Sequence, residues 1–353
     1  MSEPALPPLY ARWMLAHLGG PIPPETRATC GSCAMVPPPD EPMGRTHFDP
    51  TTKCCTFVPR LPNFLVGAVL LDEDPTAAQG RVTLEGRMLA GIGVTPLGLA
   101  RPPAWDLVYR HGVVRGDQTF GRTRLLRCPH FLADGRCGIW KHREGVCATW
   151  YCRHERGAVG FDFWEALGGF LHVIERALSY DAVLALGVDG AALRRLVDGP
   201  AAADGPALDG RASPAAQRAT WGEWYDRERE LYIATAARVE RLGWDEIRAI
   251  GGPEVEAHGR LVREAFERLV WARTPERLRL VPLGSVDIGR ETAAIVSHRT
   301  YDPLLVPSAL LPHLARFDGR PTELVRAEIT AAGVPLEAGT MQKLVDWGVL
   351  VAG

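Results

Sequence analysis

All eight cysteines of this chain fall between Cys30 and Cys152, and the 201 residues that follow contain none. A chain of 353 residues is too long for one ordinary core, and this asymmetry is its strongest internal boundary. Three segments are expected. Residues 1–187 form a cysteine-rich metal-binding domain together with the helix that follows it. Residues 188–275 are helical, and residues 276–353 form a small C-terminal module. With 46% hydrophobic and 23% charged residues the composition is that of a globular protein.

The compartment decides how the thiols read. The N-terminal stretch MSEPALPPLYARW has no basic segment followed by an apolar core, so no signal peptide is expected. No apolar run reaches the roughly 18 residues of a membrane span. A cytoplasmic location follows as the expectation. There glutathione keeps thiols reduced, and clustered cysteines bind metal or carry redox chemistry rather than form disulfides. The net charge of -2 and a pI near 6.6 give no reason to expect nucleic acid or membrane as a partner.

The thiols come in two groups of four: Cys30-Gly-Ser-Cys33 with Cys54-Cys55, then Cys128, Cys137, Cys147 and Cys152. Four thiolates fill a tetrahedral shell. In Cys30-Gly-Ser-Cys33 the two intervening small residues let the chain turn so that both sulfurs face one ion. Neighbouring side chains in extended backbone point to opposite faces. Cys54 and Cys55 therefore either serve two metals or sit on a kinked backbone. Asp134-Gly135 before Cys137 is a turn signal. Between Arg122 and Arg156 eight Lys or Arg face three Asp or Glu. These basic residues either neutralise a thiolate cluster, which carries about -2 with four thiolates around Zn²⁺ or a [4Fe–4S]²⁺ core, or form a solvated face.

The block Gly135-Arg-Cys137-Gly-Ile139-Trp140-Lys-His-Arg143-Glu144-Gly-Val-Cys147-Ala148-Thr-Trp150-Tyr-Cys152 resembles the CxxCxxCC zinc- or iron-chelating domain family (YkgJ type), which includes flagellin lysine N-methylase. The resemblance covers about Cys30 to Cys152. The family's Pro is Glu144 here, its Arg after the next cysteine is Ala148, and 20 residues separate Cys33 from Cys54 in place of the family's short step. The resemblance implies metal binding by all eight cysteines and raises iron–sulfur or methyl-transfer chemistry, although no methyltransferase motif is present. The irregular spacing of the later cysteines favours iron, as an iron–sulfur cluster or iron ions, with zinc the alternative.

Four histidines lie near these thiols or in the insert: His47, His130, His142 and His154. Each is a possible replacement ligand, with an ordinary hydrogen-bonding histidine as the default. His172 and Glu175 share a helix face at i, i+3. Gly91-Ile-Gly93 lacks the strand and helix that a phosphate-cradling loop needs. Nucleophile-elbow, zincin, Walker and radical-SAM motifs are absent, so the chain names no reaction.

The expected fold is helix-rich α+β: a loop-heavy cysteine domain packed on helices, plus a small helical, winged-helix-like C-terminal module. Phe161 to Leu186 reads as a long helix with one apolar stripe, Phe163, Leu167, Phe170, Ile174 and Leu178. A second helix starts at Ser213-Pro214 and runs past Leu242, and a third spans Glu254 to Trp271. Leu107 to Val114 leans to strand. In the last segment strands are expected at Leu278 to Leu283 and from Gly348 to Val351. Helices are expected at Ser308 to Phe317, Pro321 to Ala331 and Leu336 to Trp347, with a turn at Phe317 to Arg320. Two functions follow. One is a redox or protein- and peptide-modifying enzyme with an iron site, whose partner is a peptide or protein substrate. The other is an adaptor stapled by structural zinc.

Overall fold

In the computed structural model the described residues are 6–27, 29–44, 46–114, 119–198 and 208–353. The fold is helix-rich α+β, with about half of the chain helical. Among the described residues the strands form three antiparallel sheets of three strands each. By its internal contacts the chain divides into two compact units, each assembled from three stretches of sequence. The first comprises Met1–Ile22, Val36–Thr149 and Leu167–Gly259; the second comprises Pro23–Met35, Trp150–Ala166 and Arg260–Gly353. The cysteine-bearing stretch thus contributes to both units. Among the described residues no helix is long and apolar enough to cross a membrane.

The first unit begins with α1 (Pro8–Leu18), which has proline in its first turn and closes on Gly19 at φ 72°. It continues through β1 (Leu61–Pro62), α2 (Asn63–Leu71), α3 (Ala78–Leu89), β2 (Val94–Thr95), β3 (Gly98–Leu99), α4 (Pro103–Val114) and α5 (Gly145–Thr149). It takes in most of α6 (Gly157–Ala185), then α7 (Gly190–Asp198), α8 (Pro214–Trp221), α9 (Glu228–Glu240) and the first part of α10 (Trp244–Val270). The sequence of α2, NFLVGAVLL, is apolar on every side, and the helix is buried accordingly. At its start the buried Asn63 amide donates to the carbonyls of Pro96 (3.0 Å) and Ser179 (2.9 Å), while its oxygen accepts from Phe64 N–H (2.7 Å). A polar side chain is affordable there because each of its groups is used. The stripe expected on the long helix is fully buried.

Two glycines are required by close approach. A Cβ on Gly98, at φ 124°, would stand 2.0 Å from the Leu61 carbonyl oxygen of the paired strand. A Cβ on Gly67 in α2 would stand 1.9 Å from the carbonyl oxygen of Tyr232 in α9.

Several local expectations are corrected. Leu107 to Val114 is helical: the i, i+4 pair Trp105 and Tyr109 stacks at 4.6 Å, with Arg101 over the neighbouring Phe57 ring at 4.1 Å. Packing of this aromatic group overrides the β-leaning composition. The helix at Ser213 starts as expected, the Ser213 hydroxyl accepting from Ala216 N–H at 3.2 Å, but it ends at Trp221 because Gly222 turns to φ 55°. A new helix, α9, then begins at Glu228. α10 bends at Gly252 (φ 58°) before Pro253, which has no N–H to give. Of the expected flexible connection Asp198 to Pro214, residues 199–207 lie outside the described residues.

The second unit carries β4 (Arg277–Leu280), β5 (Ser285–Ile288), β6 (Thr292–Val296), β7 (Leu304–Pro307), α11 (Leu311–Leu314), β8 (Asp318–Pro321), α12 (Thr322–Ala331), α13 (Ala338–Asp346) and β9 (Leu350–Ala352). Its sheets have the orders β8-β4-β9 and β5-β6-β7. The terminal strand, α12 and α13 lie where the sequence puts them. The helix expected at Ser308 to Phe317 is cut to a 3₁₀ turn and four α-helical residues. The turn expected at Phe317 to Arg320 is a strand, Asp318 pairing with Arg279. Leu278, Ile295, Leu304, Phe317, Ile329, Leu344 and Trp347 share one core.

The two glycine environments give a paired test. Gly67→Ala drives a methyl group into backbone and should cost about 1–3 kcal/mol. Gly86→Ala on exposed α3, where a Cβ meets nothing within 4 Å, should stabilise by up to about 1 kcal/mol. Urea midpoints of the two variants check both signs.

Candidate metal centre

Five thiols of the first unit converge: Cys54, Cys55, Cys128, Cys137 and Cys147. The paired cysteines sit on a coiled turn rather than a strand. Thr52 and Lys53 N–H both donate to Asp49 O (3.0 and 2.8 Å), Cys55 N–H donates to Thr52 O (3.0 Å), and Lys53 takes the left-handed φ of 47°. The coil turns both sulfurs to one side, and the Cys54 thiol hydrogen-bonds Cys55. Of the two possibilities left open for adjacent cysteines, the backbone adopts the kinked one.

A single backbone bond ties this turn to the next cysteine, with Cys128 N–H donating to Cys55 O at 2.7 Å. From Cys128 the chain makes a narrow hairpin. Phe131 bridges Cys137, Leu132 N–H meets Arg136 O (2.9 Å), and Gly138 N–H meets His130 O (2.8 Å). The turn is the expected Asp134-Gly135, with Gly135 at φ 78° and its carbonyl held by Lys53 Nζ at 2.9 Å.

Cys147 lies on α5. Glu144 caps that helix, its carboxylate accepting from the N–H groups of Val146 (2.7 Å) and Cys147 (3.1 Å). Gly145 N–H goes to Glu175 at 2.6 Å, and Glu175 also accepts from the Tyr10 hydroxyl. His172 is exposed while Glu175 is buried, so the two do not form a common site.

The electrostatics of the five thiols are mutual. The hydrogen bond to Cys55 and burial hold the Cys54 thiol well above its usual range. The bond from Cys54 pulls Cys55 down, but burial and the nearby Cys128, Cys137 and Cys147 push it up on balance. Burial raises Cys128 to about 12. Burial, then Glu144, Cys128 and Cys137, raise Cys147. Each thiolate makes its neighbours harder to ionise, as expected for like charges packed in a poorly solvated place. Two guanidinium groups border the cluster. Arg143 is buried over the Trp140 ring at 3.3 Å, donates to the Trp140 carbonyl at 3.1 Å and favours ionised Cys54. Arg87 is buried, gives one bond to Ala100 O (2.8 Å), and has its Nη1 without a hydrogen-bond partner.

The histidines divide. His130 is buried against Thr83 Oγ1 (2.9 Å), and burial, then Arg87, lowers it to about 3, which keeps it neutral. Its Nε2 has no hydrogen-bond partner. His142 pairs with Asp72 (2.9 Å), and His47 accepts from Gly44 N–H (3.0 Å). Both are engaged in local structure.

Cys30, Cys33, Cys152 and His154 belong to the second unit. Cys30 and Cys33 are partly buried, Cys152 is buried, and the Thr29 hydroxyl closes a turn onto Ser32 N–H at 3.3 Å. His154 lies beside two residues that sequence reasoning missed, His298 and Asp302. The only signal for them was the spacing His298-x-x-x-Asp302, in a segment with no expected structure. No protein-family model, curated protein or solved structure matches the chain.

The buried carboxyls beside α5 give a pH signature. Burial and then Glu144 push Glu175 well above the ordinary carboxylate range. Above roughly pH 4.3 the unfolded chain releases this proton while the folded chain keeps it. The folded state then binds more protons, and stability falls as pH rises toward the folded value. In Glu175→Gln that loss should disappear, so its urea midpoint should decline less between pH 5 and pH 8 than the wild type's. Parallel declines would show that Glu175 is ionised in the fold.

Proposed function

We propose that this chain is an iron-binding protein that holds an iron–sulfur centre on the clustered thiols of its first unit. It acts as a redox or protein- and peptide-modifying enzyme of the cytoplasm. The observation that carries the proposal is the pairing of five mutually interacting thiols with two buried guanidinium groups. Buried cations need anions. With every thiol protonated, Arg87 has neither a hydrogen-bond partner for Nη1 nor a paired carboxylate among the described residues. A metal centre ligated by thiolates supplies the missing negative charge. Such a centre replaces thiol protons, which is how thiols so hard to ionise become ligands.

The donor set fits. Cys55, Cys128, Cys137 and Cys147 are the natural four ligands, and Cys54 is held against Cys55. The His130 backbone N–H hydrogen-bonds the Cys128 sulfur, the type of contact that tunes cluster potentials. The resemblance to the CxxCxxCC family points the same way, and by it Cys30, Cys33 and Cys152 are metal ligands within the second unit. When bound, an iron–sulfur centre supplies one-electron chemistry. The protein's part is to bury it, neutralise it with Arg87 and Arg143, and set its potential.

The order α11, β8, α12, α13, β9 around a three-stranded sheet supports a winged-helix-like module at residues 276–353. Its proposed role is to present a peptide or protein substrate. The alternative, a zinc-stapled adaptor using the same module, keeps the thiol ligands and loses the redox chemistry.

Protein purified without oxygen should carry about four or more irons per chain and the broad visible absorption of a cluster. Cys55→Ser, Cys128→Ser and Cys147→Ser should each abolish that absorption. A colourless protein holding only zinc would favour the adaptor. Arg87→Gln should lower the reduction potential, because the oxidised and reduced centres differ by one charge and the lost cation favoured the more negative one. Potentiometric titration of both proteins reads the shift.

A further inference from the structure

The second unit holds a compact set of donors that the thiol chemistry does not use. His154 Nδ1 lies 3.5 Å from Asp302 Oδ2, and His298 Nε2 lies 3.4 Å from the same oxygen. All three donor atoms lie within 4.8 Å of one another. His154 and Asp302 are fully enclosed, and the His298 side chain is 8% exposed.

The two His–Asp contacts are long for hydrogen bonds. Such bonds run at about 2.7–3.2 Å, and charge-assisted ones are shorter still. Neither His154 Nδ1 nor His298 Nε2 has a hydrogen-bond partner, although leaving a buried polar atom unsatisfied is costly. The separations suit a cation instead. Ligand atoms about 2.1 Å from one ion in tetrahedral array stand roughly 3.4 Å apart.

The surroundings fix each donor. Ser297 Oγ is 3.2 Å from His298 Nδ1. In the tautomer that donates Nδ1–H to that hydroxyl, Nε2 presents a lone pair toward the carboxylate, the form in which it ligates a cation. Asp302 is oriented by Arg27 Nη1 on Oδ1 (3.0 Å), by His154 N–H on Oδ2 (2.9 Å), and by Trp347 Nε1–H on its carbonyl (3.1 Å). Arg27 also donates to the His154 carbonyl (2.8 Å), tying two of the donor residues together. Partners of this kind around metal-ligating groups set their orientation and affinity.

We propose that His154, His298 and Asp302 bind one divalent cation of the zinc class, with the fourth tetrahedral position open to water or to a donor atom of a substrate. Two imidazoles and one carboxylate form the donor set of zinc sites that keep an open position. Borderline nitrogen and oxygen donors separate this site chemically from the thiol cluster.

The test is zinc binding to chelator-stripped full-length protein, followed by titration calorimetry with elemental analysis. Asp302→Asn keeps the side chain's shape and should remove one zinc equivalent per chain, or weaken it at least about 100-fold. Cys128→Ser should leave that equivalent in place. Ser297→Ala removes only an exposed hydroxyl and keeps the test open should Asp302→Asn fail to fold. It should weaken the same equivalent about 10-fold. Cobalt(II) loaded into the stripped protein should show ligand-field bands that Asp302→Asn loses while any thiolate charge transfer from the cysteines is unchanged. Unchanged zinc stoichiometry and affinity in Asp302→Asn overturn the proposal, as do unchanged affinity in Ser297→Ala or a cobalt spectrum that Asp302→Asn leaves unchanged.

Discussion

Arg87 is a guanidinium 6% exposed, bonded to one carbonyl and bordered by sulfur, and the chemistry of the first unit is constrained by it. Burial pulls its pKa down while Cys128 pulls it up. An unneutralised cation in this position would be a liability of several kcal/mol. Five thiols pressed together have the opposite difficulty, because each ionisation discourages the next. The two costs are complementary. A thiolate-ligated centre beside Arg87 and Arg143, as proposed above, would relieve both, since metal charge would replace protons on sulfur next to the guanidinium groups. The cysteine hairpin, the coiled turn at Cys54 and the bond from Cys128 N–H to Cys55 O are the backbone devices that bring the thiols to those cations.

How much of this was readable in the sequence depended on whether the information was local. The long helix α6 was, because its apolar stripe repeats over about four turns of chain and needs no partner to be recognised. So were the start at Ser213-Pro214, the Asp134-Gly135 turn and the helices α12 and α13, each marked by capping or turn chemistry within a few residues. The helix at Trp105 was not, since its stack with Tyr109 and its contact with Phe57 outweigh a β-leaning composition. Nor was the sheet β5-β6-β7, whose strands are four or five residues long and give period-two patterning little room to show.

The candidate sites divide the same way. Cysteine is rare enough that clustering along the chain announces a site, and the sequence named all five thiols that converge in the first unit. It did not show that Cys30, Cys33 and Cys152 belong to a different compact unit, because that depends on which distant segments fold together. Glu144 looked like a lapse from the family pattern. In place it caps α5 and fixes the N–H of Cys147, a role that proline could not fill with a side-chain acceptor. His298 and Asp302 carried almost no signal, since a histidine and an aspartate four residues apart occur by chance in most chains. Only the fold brings His154 to them across 144 and 148 residues of sequence.

The contrast between the two donor sets bears on how one chain could hold different metals. Thiolates are soft and crowd the first unit. Imidazole and carboxylate are harder and stand alone at Asp302. Selectivity among metals comes from ligand type and geometry more than from raw affinity. Nitrogen and oxygen donors at tetrahedral spacing suit a borderline cation. A multi-iron centre, in turn, cannot fit among three donors that share one carboxylate oxygen as their meeting point. Asp302 is held by Arg27, by the His154 backbone and, through its carbonyl, by Trp347, so its carboxylate cannot swing away to relieve the two imidazoles facing it. That rigidity makes the cluster of His154, His298 and Asp302 a place where a small divalent ion lowers the energy of groups the fold has already fixed.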